Sequence, residues 1–190
     1  SPTYRLAPKH RFPAPLDDAR AAVRFLRDNA KTYNLDPDRI AVGGYSAGAH
    51  LALLLALNPA KDDVPVRGVV SFYGPTDLSL YAETPGLEDA GLVPFLGRAC
   101  KTDPAVYRAA SPLTFASKSA PPVFIAHGNA DFLVPVIHSE RLFARLKDAG
   151  ATAEMLTVAG AGHGPWDGKT WAASTAAAVR FLDRHVRGTR

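Results

Sequence analysis

The serine at position 46 stands in the middle of the segment GYSAG, residues 44–48, directly after a short apolar run. A serine hydroxyl is a poor nucleophile at neutral pH, so an enzyme that uses one must expose it, place a base beside it and fix its geometry. A sharp turn from a strand into a helix exposes the hydroxyl, and small residues two positions before and after it let the two elements approach closely. The spacing therefore predicts a nucleophile at Ser46, although so short a segment also fits a glycine-rich turn with an incidental serine.

The residues on either side of Ser46 carry two further predictions. The helix after the turn would point its amino end at the site, where the backbone N–H of Ala47 is expected to donate to a developing oxyanion. Tyr45 is a candidate substrate contact because it precedes the serine directly. An aromatic residue there fits internal packing equally well.

Two later loops contain the residue types that a serine nucleophile needs. Asp131 follows the apolar stretch VFIAHG, and His163 lies in the glycine-rich segment GAGHG after the stretch EMLTVAG. Both loops would leave the carboxyl end of a strand, which is the edge of the sheet where the Ser46 turn also lies. The order serine, aspartate, histidine along the chain is typical of an α/β-hydrolase and differs from other serine hydrolase folds.

The elements that must position these loops follow from hydrophobic periodicity. Strands are predicted at 39–43, 67–74, 121–128 and 153–158, and helices from the prolines at 13 and 15 to about residue 34, then at 47–57, 136–149 and 170–186. This alternation predicts one domain over residues 1–190, with a mostly parallel sheet and helices on both of its faces. The proline-rich stretch 75–119 has no convincing strand, and we expect a cap-like insertion over the active site there.

Five segments resemble the α/β-hydrolase esterases, especially the hormone-sensitive-lipase-like and acetylesterase-like branch: YRLAPKHRFPAPLDD, RIAVGGYSAGAHLA, SPLTFAS, HGNADFLVP and AGHG. The resemblance runs over nearly the whole chain. It implies that Ser46 is the nucleophile, that His163 is the general base and later the acid, and that Asp131 orients and stabilises the imidazolium. It further implies a serine carboxylesterase that hydrolyses small, short-acyl esters through an acyl-enzyme, with no metal or organic cofactor.

The sequence also departs from that family. A His-Gly-Gly loop that supplies further oxyanion donors would lie upstream of YRLAP, and so would several sheet strands, including the usual neighbour of the strand at 39–43. We therefore expect the chain to be the carboxyl-terminal part of a hydrolase, truncated at the N-terminus. An unpaired sheet edge at 40–42 would favour association, so a homodimer is expected.

Other histidines and carboxylates have expected roles outside the triad. Of the histidines, we expect His127 to fix the loop of Asp131, His50 to hold the turn or face solvent, and both His138 and His185 to lie on the surface. Asp77 follows another strand and is the rival acid, whereas Asp167 lies too close to His163 in sequence to orient it. The side chains to watch for acyl-group contact are Phe95, Leu96 and Trp166.

Composition restricts the possible functions. The 190 residues are 47% hydrophobic with a formal net charge of +4, and the basic residues are scattered, which argues against nucleic acid as a partner. The single cysteine, Cys100, excludes an internal disulfide. The apolar run at 51–57 is too short to span a membrane. With no leader visible at the start of the sequence, we expect a cytoplasmic protein acting on a small-molecule ester.

Two alternatives remain open. Prolyl-oligopeptidase-like peptidases share loops similar to HGNAD and GHG, but they tend to carry an aromatic residue directly after the serine, where this chain has Ala47. A non-catalytic hydrolase-like binding module would keep the fold without turnover. Such a module usually has a broken triad, and the triad residues here are all present.

Overall fold

The computed structural model describes residues 1–83, 86–164 and 166–188. The strands are β1 Ala41–Tyr45, β2 Gly68–Phe72, β3 Val123–Gly128 and β4 Ala153–Val158. The α-helices are α1 Ala14–Asp28, α2 Ala47–Leu57, α3 Val93–Leu96, α4 Pro104–Ala109, α5 Ile137–Asp148 and α6 Gly168–Leu182. Short 3-10 turns occupy Leu78–Glu83 and Pro112–Phe115, and π turns occupy Glu88–Leu92 and Asp183–Arg187. None of the helices in these ranges combines the length and apolar character that crossing a membrane requires.

The four strands form one parallel sheet in the order β1-β2-β3-β4. Parallel strands place all their carboxyl ends at one edge, so the loops after β1, β3 and β4 all emerge at the same edge of the sheet. The predicted parallel sheet is therefore confirmed. Within the described ranges β1 pairs only with β2 and forms one margin of the sheet.

Helices cover both faces of the sheet, as predicted. On one face, α2 is almost wholly apolar, and Leu53 and Leu54 pack fully buried with Val69 of β2 and Leu142 of α5. On the other face, a second cluster joins β2 and β3 to α6 through Phe181, which is also fully buried. A helix buried on all sides is typical of the interior of a larger protein core.

Several element boundaries differ from those predicted by periodicity. Helix α1 ends at Asp28 and not near residue 34. The Asn29 side-chain amide donates to the carbonyl oxygen of Phe25 at 2.8 Å, and such side-chain bonds compete with the helical backbone pattern. Helix α6 begins two residues early because the Asp167 carboxylate accepts hydrogen bonds from the N–H groups of Lys169 and Thr170.

The stretch 75–119 contains no strand in its described residues, 75–83 and 86–119, in agreement with the sequence pattern. It has an apolar cluster of its own, in which Leu78, Leu96 and Tyr107 are buried together with Val134 from the loop before α5. The stretch 75–119 is thus packed against the segment that follows Asp131.

The prediction of a surface position for His138 is wrong. Its side chain is only 1% exposed and stacks on Tyr81 with the ring centres 4.9 Å apart. Its Nδ1 accepts hydrogen bonds from the N–H groups of Thr76 and Asp77, both at 3.3 Å. The first turn of α5 faces the insertion, so a polar residue in that turn anchors the stretch that follows β2. His185 does lie near the surface, 3.7 Å from Glu154.

Candidate active site

Ser46 occupies the single residue between β1 and α2. Its backbone has φ 49° and ψ −120°, and such a positive φ is uncommon for a residue with a side chain. The turn is held by a hydrogen bond from its N–H to the Phe72 carbonyl oxygen at 2.9 Å. Backbone strain of this kind is typical of functional positions.

The two glycines that flank Ser46 are not equivalent. A Cβ atom on Gly44 would lie 2.5 Å from the carbonyl carbon of Gly48 and 2.7 Å from its oxygen, so only glycine fits there. A Cβ atom on Gly48 would meet nothing within 4 Å. The close approach therefore requires glycine at position 44, where the backbone of Gly48 fills the adjacent space, whereas an alanine methyl would fit at position 48.

The structure brings the three predicted triad residues into one hydrogen-bonded chain. The Nε2 atom of His163 lies 2.9 Å from Ser46 Oγ, and its Nδ1 lies 2.8 Å from Asp131 Oδ2. With a carboxylate at Nδ1, that nitrogen carries the hydrogen, and Nε2 is left to accept from the serine hydroxyl. This arrangement gives Ser46 a base and gives the base a fixed orientation.

The Asp131 carboxylate is fully buried, and each of its oxygens has hydrogen-bond partners. Its Oδ1 accepts from the N–H groups of Leu133 at 3.0 Å and Val134 at 2.8 Å. Its Oδ2 accepts from His163, and His127 Nε2 lies 3.2 Å from the same atom. A buried carboxylate needs such partners because an unpaired buried charge is strongly destabilising. The expectation that His127 fixes this loop is confirmed.

The loops of Asp131 and His163 pack directly against each other. The N–H of Ala130 donates to the carbonyl oxygen of Ala161 at 2.9 Å. A Cβ atom on Gly128 would lie 2.6 Å from the Ala161 carbonyl carbon, so the close approach requires glycine at the end of β3. Asp131 and His163 are therefore held as one unit.

Aromatic side chains surround one side of the His163 imidazole. Tyr73, which has a left-handed φ of 43°, packs edge-on against it with the ring centres 4.8 Å apart. Trp166 packs on Tyr73 at 5.4 Å, and its Nε1 donates to the Gly162 carbonyl oxygen at 3.0 Å. Burial raises the pKa of Tyr73, with Tyr45 and the Asp131 carboxylate adding to the effect, so the phenol stays neutral.

Ala47 is the first residue of α2, at the amino end that adjoins Ser46. The first N–H groups of a helix have no acceptor within the helix and lie at the positive end of its dipole. Tyr45 is half exposed, and its ring packs on Phe72 at 5.4 Å and on Trp171 at 5.1 Å.

Among the remaining candidates, His50 is buried, and its Nδ1 lies 3.0 Å from the Pro75 carbonyl oxygen. Burial lowers its pKa to about 4, so the neutral ring donates there and holds the start of the insertion against α2. Asp77 lies 3.3 Å from Arg141, and its Oδ1 accepts from Ser79.

The side chains expected near an acyl group lie mainly in packing positions. Phe95 packs on Phe12 at 5.9 Å and on His50 at 6.2 Å, and Leu96 is buried within the insertion. Only Trp166 of these three reaches the aromatic group beside His163. Within the described residues, no cluster of three or more histidine, cysteine, aspartate or glutamate side chains is placed to hold a metal ion.

The chain is similar in sequence to known esterases. The BD-FAE family profile matches residues 1–146. Esterase LipQ of Mycobacterium tuberculosis is 36% identical over 158 residues, which cover 78% of this chain and 38% of LipQ. The chain thus spans less than half the length of this curated relative.

Solved structures agree with the observed architecture. A truncated form of a carbohydrate esterase from gut microbiota superposes with a TM-score of 0.81 at 28% identity, covering 97% of this chain and 74% of the other. A puromycin-hydrolyzing peptidase of Mycobacterium tuberculosis gives 0.79 at 30% identity, covering 93% of this chain and 26% of the peptidase. The family match extends over more than half of the sequence, and the sheet, the turn and the neighbouring structures agree with it: this chain belongs to the BD-FAE family and has the α/β-hydrolase fold of esterases.

Proposed function

We propose that this chain is a serine carboxylesterase that hydrolyses small, short-acyl esters, with Ser46, His163 and Asp131 as its catalytic triad. The observation that carries the proposal is the unbroken hydrogen-bonded chain from Ser46 Oγ through both nitrogens of His163 to Asp131 Oδ2. The names of the relatives, an esterase and a carbohydrate esterase among them, support ester hydrolysis as the reaction.

The proposed reaction follows from this geometry. As Ser46 Oγ attacks the ester carbonyl carbon, His163 Nε2 takes the hydroxyl proton, and the carbonyl electrons become a negative charge on oxygen. The N–H of Ala47 donates to that oxyanion. When the intermediate collapses, the imidazolium gives its proton to the departing alkoxide, which leaves as the alcohol.

The second half of the reaction uses the same groups. His163 takes a proton from water, and the resulting hydroxide attacks the acyl-enzyme carbonyl. The tetrahedral species then collapses, the carboxylic acid is released, and the proton returns to Ser46 Oγ. Asp131 remains ionised throughout and stabilises the imidazolium that forms in each half.

The insertion at 75–119 is proposed to be a cap-like part of the same domain that limits the size of the acyl group. Its packing supports this role, because Val134 joins its apolar cluster and His50 binds its first residue. We further propose that the exposed half of Tyr45 contacts substrate beside the nucleophile.

Hydrolysis of p-nitrophenyl acetate, butyrate and decanoate by the 190-residue chain tests the proposal. We expect turnover that falls with acyl length and that drops by at least about 10³-fold in Ser46→Ala, because the nucleophile is lost. Circular dichroism of both proteins establishes that they are folded. A folded chain without Ser46-dependent turnover would contradict the esterase proposal.

Peptide hydrolysis is a second candidate, favoured by the similarity to the puromycin-hydrolyzing peptidase. A matched pair of substrates, an aminoacyl p-nitrophenyl ester and the corresponding p-nitroanilide, separates the two reactions. The ratio of ester to anilide turnover is measured for this chain and for a reference serine peptidase. A higher ratio for this chain supports the esterase. A fluorophosphonate probe that fails to label Ser46 would instead favour a non-catalytic module.

A further inference from the structure

His127 is a buried histidine that lies behind the triad. It is the penultimate residue of β3, and its side chain has no exposed surface. Its Nε2 lies 2.8 Å from the Val134 carbonyl oxygen and 3.2 Å from Asp131 Oδ2, and its Nδ1 lies 2.6 Å from Ser139 Oγ on α5. Both ring nitrogens are therefore engaged in polar contacts inside the protein.

The partners of the ring determine where its hydrogen lies. Nε2 faces two acceptors, a carbonyl and a carboxylate oxygen, so it must be the nitrogen that carries the hydrogen. Burial lowers the pKa of His127, which favours the neutral ring. Nδ1 of that neutral ring accepts from the Ser139 hydroxyl. His127 is thus a neutral donor with a fixed tautomer.

Two imidazoles consequently share one oxygen of Asp131. The Oδ2 atom accepts a hydrogen bond from His163 Nδ1 at 2.8 Å, and His127 Nε2 lies 3.2 Å from the same oxygen. The Oδ1 atom accepts from backbone N–H groups. Because His127 lies behind the carboxylate, it does not touch the substrate position beside Ser46. Of its three hydrogen-bond partners, Ser139, Val134 and Asp131, Asp131 alone belongs to the proposed triad.

We infer that His127, oriented by Ser139, is a positioning residue that holds Asp131 Oδ2 in line with His163; the inference rests on the proposed esterase function. When His163 gains a proton in the reaction, Oδ2 must remain in place to stabilise the new charge. Without the His127 donor, Oδ2 loses one of its two partners and can shift about Oδ1, which the backbone N–H groups of Leu133 and Val134 still hold. A displacement of about 1 Å in such a group can lower the rate about 10²-fold.

Three variants test this inference in the p-nitrophenyl acetate assay, beside the parent chain and Ser46→Ala. His127→Leu fills the volume without a donor, and His127→Gln can place an amide N–H where Nε2 lies. Ser139→Ala leaves the imidazole and removes only its orienting hydroxyl. We expect kcat to fall about 10²-fold in the leucine variant with KM unchanged. The glutamine variant should recover much of that loss, and Ser139→Ala should show a smaller fall in kcat.

The outcomes are distinguishable from a failure of the proposed function. Parent turnover that depends on Ser46, together with unchanged kcat in folded His127→Leu and Ser139→Ala, would overturn the inference. If the leucine variant does not fold, an unchanged kcat in folded Ser139→Ala overturns it, and a lower kcat at constant KM supports it. If the parent chain shows no Ser46-dependent turnover, the esterase proposal fails. In that case the rate at which the fluorophosphonate probe reacts with Ser46 is measured in the same variants. A lower rate in His127→Leu or Ser139→Ala supports the inference, and unchanged rates overturn it.

Discussion

Gly164 lies directly against the aromatic ring of Tyr73. A Cβ atom on this glycine would come within 2.6 Å of Tyr73 Cζ and would also overlap the hydroxyl oxygen. Tyr73 in turn packs edge-on against the imidazole of His163, the residue before Gly164. The absence of a side chain at position 164 therefore allows the ring of Tyr73 and the loop of His163 to occupy adjacent space.

Gly164→Ala is expected to displace the His163 loop or the Tyr73 ring. Either movement disturbs the 2.9 Å contact between His163 Nε2 and Ser46 Oγ, and we expect kcat to fall by about 10²-fold. Gly168→Ala is the matched control, because a Cβ atom there would meet nothing within 4 Å. Equal kcat in the two variants would refute the proposed packing role of Gly164.

The two glycines around Ser46 should respond differently to alanine. Gly44→Ala drives a methyl group into the backbone of Gly48, and overpacking of this kind destabilises by about 1–3 kcal/mol. Gly48→Ala has open space at the new methyl and should stabilise α2, because alanine is favoured over glycine in a helix by about 1 kcal/mol. Urea unfolding of the two variants measures the difference, and a more stable Gly44→Ala would contradict this view of the turn.

Replacement of the buried acid should change which nitrogen of His163 carries the hydrogen. In Asp131→Asn the amide can still accept from Leu133 and Val134, but its NH₂ group then faces His163 Nδ1. The ring would be forced to carry its hydrogen on Nε2, which could no longer accept from Ser46, and kcat should fall by about 10⁴-fold.

Asp77→Asn and Asp167→Asn serve as controls for the Asp131 variant. Asp77 pairs with Arg141, and Asp167 caps α6. Both changes should leave kcat within the range of the parent chain, and asparagine at position 167 can still accept from the first N–H groups of α6 as a cap. A large fall of kcat in Asp77→Asn, with little change in Asp131→Asn, would transfer the acid role to Asp77.

The stability of the fold should depend on pH through His138. Burial lowers its pKa from the ordinary 6.5 to about 4. Between these values the unfolded chain binds more protons than the folded chain, so the free energy of unfolding rises as the pH increases from 4 to 6.5. The contribution of this residue is at most about 3 kcal/mol, and it is lost as the pH falls through that window.

His138→Asn tests the pH prediction, because asparagine can keep an acceptor near the Nδ1 position but does not titrate there. Urea titrations at several pH values measure the free energy of unfolding. Between pH 4 and 6.5 this free energy should change less with pH in the variant than in the parent chain. An equally steep dependence in the variant would assign the effect to other groups. His50, with its pKa also lowered to about 4 by burial, would be the first of these.

Much of the site was predictable because its chemistry is local in sequence. The GYSAG turn and the loops of Asp131 and His163 each combine one polar residue with glycines after an apolar run. A parallel sheet then brings the ends of such runs to a common edge. The order of residues and the parallel topology were therefore enough to predict that Ser46, Asp131 and His163 would meet.

Other features depend on tertiary packing that no short pattern reveals. His138 resembles an exposed helical residue in sequence, yet it is buried because the stretch after β2 folds over the first turn of α5. The shared use of Asp131 Oδ2 by His127 and His163 depends on how two loops pack. The role of Tyr73 depends on a ring contact across 90 residues of chain, from position 73 to position 163.

The order of the strands has a consequence for how the site assembles during folding. Asp131 and His163 are 32 residues apart and come from adjacent strands, whereas Ser46 and His163 are separated by 117 residues and come from opposite margins of the sheet. Closing the longer loop carries the greater entropic cost. The acid–base pair can therefore form in a partly assembled chain, but an activated serine requires all four strands. The reactivity of Ser46 therefore reports whether all four strands have assembled.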